Sequence, residues 1–240
     1  MSRSERRAGS RAGPPRREAA HAGVTAHLDR LRGCLATVAP QEIAAIAQRL
    51  ERVAASGGLI LLAGNGGSAA TAAHMALDLS KSTLGRPPRE RGARIRALCV
   101  SDSSPVLTAW ANDCGYERAF AEQIRTVARP GDAVVLLSVS GASPSIVAAA
   151  RAARAAGAAV IALTGARGRM LRRLSDLAVV VPSDDYQVVE DVHLAIGHAL
   201  TGYLAGAFPR RAWRGSDGRK PALRVARPPS SRSRSGRPSP

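Results

Sequence analysis

The sequence predicts an α/β fold in which a five-stranded parallel sheet is covered by helices on both faces and preceded by N-terminal helices. Five short runs of residues are apolar throughout, and segments with helical spacing alternate with them. Fully apolar strands that alternate with helices are typical of a parallel sheet buried on both faces. A chain of 240 residues, 45% of them hydrophobic, can also bury a core of the required size.

Two predicted helices come before the first strand. Residues 22–37 and 41–55 carry Leu, Val, Ile and Ala at helical spacing. Pro40 and Gln41 are suited to the start of the second helix, because proline tolerates the first helical position.

The remaining elements alternate along the chain. The predicted strands cover residues 59–64, 94–100, 133–139, 158–165 and 176–182. The predicted helices that follow them cover residues 68–79, 104–112, 117–128, 144–156, 168–175 and 187–204. Ligands of such sheets bind beyond the carboxyl ends of the strands, so we expect the site there.

The positive charge lies mainly in the two ends of the chain. Of a net charge of +17, residues 1–20 carry +4 and residues 208–240 carry +9. Both segments are rich in Arg, Pro, Ser and Gly, and we expect them to be disordered tails around a domain that spans 21–207. A solubilising role is the favoured interpretation, and weak, salt-sensitive binding to nucleic acid stays open.

The composition indicates a cytoplasmic protein. No apolar stretch is long enough for a membrane span, and the Arg-rich start lacks the apolar segment of a secretory signal. Cys34, Cys99 and Cys114 are odd in number and form no CxxC motif, which predicts reduced, structural thiols.

The turn after the first predicted strand is rich in glycine. Residues 64–69, GNGGSA, lead into a helix, where backbone N–H groups and the helix dipole favour an anion. The turn also satisfies GxGxxA, and Asp102 lies near the place of the acidic residue in a dinucleotide site. A lone match of this kind is weak, so a dehydrogenase is only an alternative.

A second anion-type turn follows the third strand and argues against the dinucleotide site. Ser138, Ser140 and Ser143 offer three hydroxyl groups just before a helix. Helix capping would account for one of them, whereas three hydroxyls and free N–H groups suit a single phosphate.

Polar residues lie downstream of each turn. His74 and Asp78 are four residues apart and share one face of their helix. In the last helix Glu190 and His198 lie about 80° apart around the axis, whereas His193 and His198 lie about 140° apart, so only one of these two histidines can face the site. Two histidines and two carboxylates could hold a divalent metal or act as proton donor and acceptor.

Six motifs in one order resemble the phosphoheptose isomerase branch of the sugar isomerase (SIS) domain family. Within about residues 25–205 they read GNGGSAATAAHMALDL, SD at 101–102, TAWANDCGYERAFAEQI, RPGDAVVLLSVSGASPS, AAGAAVIALTG and VPSDDYQVVEDVHLAIGH. The resemblance implies a flavodoxin-like three-layer sandwich, a homotetramer with sites built by neighbouring chains, and conversion of sedoheptulose 7-phosphate to D-glycero-D-manno-heptose 7-phosphate.

The resemblance also implies roles for individual residues. Contacts to the sugar phosphate fall on Asn65, Gly66, Gly67, Ser68, Ser138, Ser140 and Ser143, with Asp102 and Glu190 as further substrate contacts. Zinc and catalytic positions fall on His74, Asp78, Glu190 and His198. Aldose–ketose isomerisation needs a base and an acid, and we assign these to Asp78 and His198, with one zinc ion per subunit.

The sequence departs from the family pattern at four positions. The family has Glu at Asp78, Gln at Glu190, usually Thr at Val139, and an Arg at Ser82. The shorter carboxylate of Asp78 and the basic tails favour the alternative of a non-catalytic SIS module that binds a sugar phosphate or nucleotide sugar and regulates a protein or DNA partner. Retention of two histidines and two carboxylates favours the enzyme.

Overall fold

The computed structural model describes residues 16–84 and 94–207 and confirms the predicted α/β fold. The predicted tails lie outside the described residues, except that residues 16–20 form the start of the first helix. That helix therefore begins six residues before the predicted position. The predicted domain boundaries stay predictions.

Five strands form one parallel sheet in the order β2-β1-β3-β4-β5. Their bounds are β1 Leu59–Ala63, β2 Arg96–Cys99, β3 Ala133–Ser138, β4 Ala159–Thr164 and β5 Leu177–Val180. Each lies within a predicted strand. Since the chain passes from β1 to β2 on one side and then returns to place β3 on the other, the sheet reverses its winding between β1 and β3.

Eight helices within the described residues surround the sheet. Their bounds are α1 Arg16–Thr37, α2 Pro40–Ala55, α3 Gly67–Lys81, α4 Ser104–Cys114, α5 Ala119–Val127, α6 Pro144–Ala155, α7 Arg169–Leu174 and α8 Tyr186–Ala207. Two short 3₁₀ turns, Ser82–Leu84 and Tyr116–Arg118, follow α3 and α4. No helix in these ranges is both long and apolar enough to cross a membrane.

The sheet separates two apolar cores. Alternate strand residues such as Leu62 and Val135 pack with α2, α3 and α8 on one face. Their neighbours, such as Leu61 and Val134, pack with α5, α6 and α7 on the other. This arrangement is the predicted three-layer sandwich, and α1 packs against α8 outside it.

The expectation that both faces of every strand are buried is wrong at the edge strand β2. Leu98 is 57% exposed and Arg96 is also exposed, while Ala97 between them is buried. The side chains of a strand point alternately to the two faces, and one face of β2 is incompletely covered at the edge of the sheet.

Helices α3 and α8 lie side by side and run in the same direction. Gly67 lies against Glu190 near the start of both helices, and Met75 lies against Gly197 further along. A Cβ atom at Gly197 would come within 2.6 Å of Met75 Cγ, so glycine permits this close contact. The two helices therefore pack directly against each other, starting at the carboxyl edge of the sheet.

Candidate active site

The glycine turn presents the start of α3 at the switch point of the sheet. Gly66 has φ +54°, a left-handed conformation that glycine adopts without strain, and α3 begins at the next residue. Gly64 has no room for a side chain, because a Cβ atom there would collide with the backbone of Ser68. The turn thus brings N–H groups of the first helical turn, which have no partner within the helix, to the edge of the sheet between β1 and β3.

The serine turn lies beside it at the end of β3. Ser138 Oγ accepts a hydrogen bond from the Gly141 N–H at 3.1 Å, and Ser140 Oγ accepts one from the Ala142 N–H at 3.3 Å. Ser143 immediately precedes α6, but its side chain makes no capping hydrogen bond. Capping therefore does not use the Ser143 hydroxyl, and all three hydroxyl hydrogens are available to an anion.

The two turns and the start of α8 line one pocket. Its walls are formed by Asn65, Ser68, Leu137, Ser138, Val139, Ser140, Ser143, Tyr186 and Glu190. Six of the predicted substrate contacts thus lie together. Gly66 and Gly67 belong to the same turn, whereas Asp102 is exposed beyond the edge strand β2, outside the pocket, and its contact with sugar hydroxyls stays a prediction.

Glu190 belongs to this pocket in the described chain. Its carboxylate interacts with the Ser68 backbone N–H at the start of α3. Partial burial raises the pKa of Glu190, the Ser68 N–H opposes that shift, and the neighbouring charge of Asp191 adds to it. A carboxylate of the chain itself therefore lies where a phosphate would meet the helix N-terminus.

A second cluster of polar groups lies further along α3 and α8. The Nε2 atoms of His74 and His198 are 3.1 Å apart, and Asp78 Oδ2 lies 3.5 Å from the first and 3.6 Å from the second. Asp78 Oδ1 accepts a hydrogen bond from the Ser82 hydroxyl at 3.0 Å. Both histidine side chains are about half exposed, at 47% and 53%.

This His–Asp–His cluster is suited to a divalent metal ion. One ligand atom from each of its three residues lies within 4.8 Å of the other two. Two imidazole nitrogens that face each other need a proton or a cation between them, and two nitrogens with one carboxylate oxygen suit zinc with a further coordination position open. Glu190 is not in this group, so its role as a fourth ligand stays a prediction.

The structure distinguishes the two histidines of α8. His193 is fully buried, and this burial lowers its pKa to about 4, although an interaction with the Thr164 backbone opposes the shift. His198 is half exposed in the cluster. His193 is accordingly the structural histidine and His198 the one available for chemistry.

Two tyrosines near the pocket are absent from the sequence analysis. Tyr186 lines the pocket at the start of α8, and the Tyr116 hydroxyl donates a hydrogen bond to Asn65 Oδ1 at 2.7 Å. Both stand within motifs that carry the family resemblance, but the resemblance assigns them no role, so their spatial position reveals them.

The comparison with known proteins identifies the family. The sequence model of the SIS domain family matches residues 26–165. The chain belongs to the SIS domain family. Phosphoheptose isomerase from Roseiflexus sp. (strain RS-1) is 41% identical over 177 residues, which cover 74% of this chain and 87% of that protein. The enzyme of the same name from Burkholderia pseudomallei (strain K96243) is 39% identical over 177 residues, 73% of this chain and 83% of that protein.

A solved structure supports the same relationship. Phosphoheptose isomerase GmhA from Neisseria gonorrhoeae aligns with a TM-score of 0.70 and 26% identity over 79% of this chain and 98% of that one. The predicted membership in the phosphoheptose isomerase branch and the predicted isomerase enzyme are confirmed. These relatives support sugar-phosphate isomerase activity and leave no support for the dehydrogenase alternative.

Proposed function

We propose that this isomerase interconverts sedoheptulose 7-phosphate and D-glycero-D-manno-heptose 7-phosphate in heptose biosynthesis. One observation carries the proposal: a phosphate-type pocket lies at the start of α3 and α8, and a His–Asp–His cluster lies further along the same two helices. The curated relatives, named phosphoheptose isomerases, support the choice of a seven-carbon sugar.

The separation of the two parts suits a long sugar. His74 follows Gly67 by seven residues, and His198 follows Glu190 by eight. At 1.5 Å per residue the cluster lies about 10–12 Å along the helix axes from the pocket. An extended seven-carbon chain with a terminal phosphate spans a similar distance, so the phosphate in the pocket would bring C1 and C2 towards the cluster.

The pocket would capture the phosphate through neutral donors. The three serine hydroxyls and the N–H groups at the start of α3 donate hydrogen bonds to its oxygens. The Glu190 carboxylate lies among these donors, and we assign it to the sugar hydroxyl groups. Phosphate binding far from the reacting carbons supplies the energy that positions them.

Proton transfer would be carried out by the cluster. Asp78 takes a proton from C1 of the open-chain ketose and returns it to C2, while His198 donates a proton to O2 and accepts the proton of O1. Ser82 holds one carboxylate oxygen of Asp78, so Oδ2, the oxygen that faces the histidines, is positioned by the fold.

The cluster would also hold one zinc ion per subunit. His74 Nε2, His198 Nε2 and Asp78 Oδ2 would be its ligands, since these atoms converge in the described chain. With the ion bound, proton transfer would use the second carboxylate oxygen of Asp78 and the other ring nitrogen of His198. When bound, such an ion polarises carbonyl and hydroxyl oxygens and stabilises the negative charge that develops on them. Glu190 would be a fourth ligand only if its side chain turned from the pocket towards the cluster.

The proposed assembly is a homotetramer in the cytoplasm. Apolar side chains on α1 and α3 are exposed, with Val24 at 62%, Leu28 at 52% and Leu77 at 55%. Leu77 lies on α3 between His74 and Asp78, so a neighbouring chain that covered it would lie next to the half-exposed cluster. The three cysteines are free, which suits a reducing compartment.

A combined metal and turnover measurement tests the proposal. Purified protein should contain about one zinc ion per chain and convert sedoheptulose 7-phosphate, and chelation followed by zinc addition should remove and restore turnover. The His74→Ala variant should lose zinc, whereas His21→Ala, on an exposed part of α1, should retain it. Metal-free protein that binds the sugar phosphate without turnover would instead favour the non-catalytic binding module.

A further inference from the structure

The Asn65 side chain is held at both ends of its amide group. Its Oδ1 accepts a hydrogen bond from the Tyr116 hydroxyl at 2.7 Å, and its Nδ2 donates one to Ser145 Oγ at 3.0 Å. Rotation of the amide would break both hydrogen bonds. The side chain therefore has one defined orientation at the wall of the pocket.

These hydrogen bonds join three separate parts of the chain. Asn65 lies in the glycine turn, and Ser145, which is buried, lies in the first turn of α6 directly after the serine turn. Tyr116 lies in the 3₁₀ turn after α4. Asn65 thus connects the two turns that form the pocket, and Tyr116 holds this connection from outside.

The Tyr116 ring is itself held by packing against a buried aromatic side chain. It contacts the ring of Phe120 in an edge-to-face arrangement, with centroids 6.0 Å apart, and Phe120 is fully buried. Replacing Tyr116 by Phe would retain this ring contact and remove only the hydroxyl.

We propose that Tyr116 is a positioning residue that fixes the Asn65 amide and thereby the spacing of the two phosphate-binding turns. The inference rests on the proposed function, because it assigns a phosphate to the pocket. Tyr116 acts through Asn65 and donates its hydrogen bond to the protein. A loosened turn must be ordered again when phosphate binds, so loss of the hydroxyl weakens binding and leaves the chemical step unchanged.

A double-mutant cycle tests the inference in the full chain. Tyr116→Phe, Asn65→Ala, the double variant and the wild type are compared by the dissociation constant for inorganic phosphate and by KM and kcat for sedoheptulose 7-phosphate. Tyr116→Phe should raise both the dissociation constant and KM about fivefold with kcat within about twofold, as expected for one neutral hydrogen bond. The double variant should bind no more weakly than Asn65→Ala.

The control is Tyr203→Phe. Tyr203 also donates its hydroxyl, to Glu51 at 2.8 Å, but α8 carries it beyond the cluster and away from the pocket. This variant should match the wild type in KM within about twofold. Melting temperatures of all variants show whether the fold is intact.

The outcomes separate the inference from the proposed function. Phosphate binding with the expected coupling but no turnover would support the role of Tyr116 and overturn the proposed substrate. Turnover with Tyr116→Phe equal to the wild type, or a Tyr116→Phe effect that persists undiminished in the Asn65→Ala background, would overturn the role of Tyr116. Absence of phosphate binding in the wild type would overturn both.

Discussion

The two halves of the site are built in different ways. The phosphate pocket consists of turns at the ends of β1 and β3, where serine hydroxyls and backbone N–H groups are held by hydrogen bonds within the turns. The His–Asp–His cluster consists of side chains on α3 and α8 that are about half exposed. The fold alone therefore holds the pocket in place. The half-exposed cluster is instead the kind of site that a bound metal ion or a neighbouring chain would complete.

This difference predicts a division of labour. Interactions in the pocket exist before and throughout the reaction, so they contribute uniform binding and set KM. Groups in the cluster act on atoms whose charge changes in the transition state, so they set kcat. Variants in each half should separate these two parameters.

The largest effect is expected at the cluster. Asp78→Asn removes the proposed base and should lower kcat by about 10³-fold, with KM changed only a few-fold, because general base catalysis contributes about 10²–10⁴-fold. Steady-state kinetics with sedoheptulose 7-phosphate measure this. Asp29→Asn on the exposed face of α1 is the control and should retain full kcat. An Asp78→Asn variant with near wild-type kcat would contradict the assignment of Asp78 as the base.

A smaller effect of the opposite kind is expected in the pocket. Ser140→Ala removes a hydroxyl that can donate to the phosphate and should raise KM about tenfold while kcat changes little, as for a hydrogen bond to a charged group. Ser175→Ala, which loses a hydrogen bond to the Leu171 carbonyl at the end of α7, is the matched control. A Ser140→Ala variant that loses kcat at unchanged KM would contradict the assignment.

The buried side chain of His193 should make the free energy of unfolding depend on pH. The pKa of His193 is lowered to about 4 in the folded chain from an ordinary 6.5, so the unfolded chain binds the proton first as the pH falls. The free energy of unfolding should therefore decrease by about 2 kcal/mol from pH 7 to pH 5. The contribution of the neutral histidine is fully present well above pH 6.5 and is lost as the pH falls towards 4.

Urea unfolding at the two pH values measures this decrease. His193→Leu should remove this part of the pH dependence, because an apolar side chain in that place does not titrate. His21→Gln, at an exposed position of α1, should leave it unchanged. Equal slopes in His193→Leu and the wild type would contradict the burial of His193 as its cause.

The smallest effect is expected at Glu190, and it tests whether this residue belongs to the pocket or to the cluster. Glu190 lies against the start of α3, where its negative charge disfavours a phosphate. Glu190→Gln should therefore tighten the binding of inorganic phosphate about threefold, the size of a partly solvated charge interaction, and leave the zinc content unchanged. Glu42→Gln, at an exposed position of α2, is the control. Loss of zinc from Glu190→Gln would place Glu190 in the cluster.

Local signals predicted the turns, whereas the arrangement of helical side chains needed the structure. The glycine and serine turns follow apolar strands directly, so their position at one edge of a parallel sheet follows from the sequence. Spacing around α8 suggested that Glu190 and His198 face one cleft, but eight residues also separate them by about 12 Å along the axis. Their placement in different halves of the site reflects this axial distance.

Contacts between distant segments also could not be predicted from the sequence. The choice between His193 and His198 depends on which side of α8 meets the sheet, and a spacing of five residues does not state this. The hydrogen bond from Tyr116 to Asn65 joins residues 51 positions apart, and although each lies in a motif, neither motif indicates that the two side chains meet.

The most direct test of the account is a crystal structure of the Asp78→Asn variant with sedoheptulose 7-phosphate. We expect the phosphate among Ser138, Ser140, Ser143 and the start of α3, with the chain of the sugar between this pocket and the His–Asp–His cluster and C1 and C2 beside His198. A pocket without phosphate, or a sugar whose C1 and C2 lie away from the His–Asp–His cluster, would contradict it.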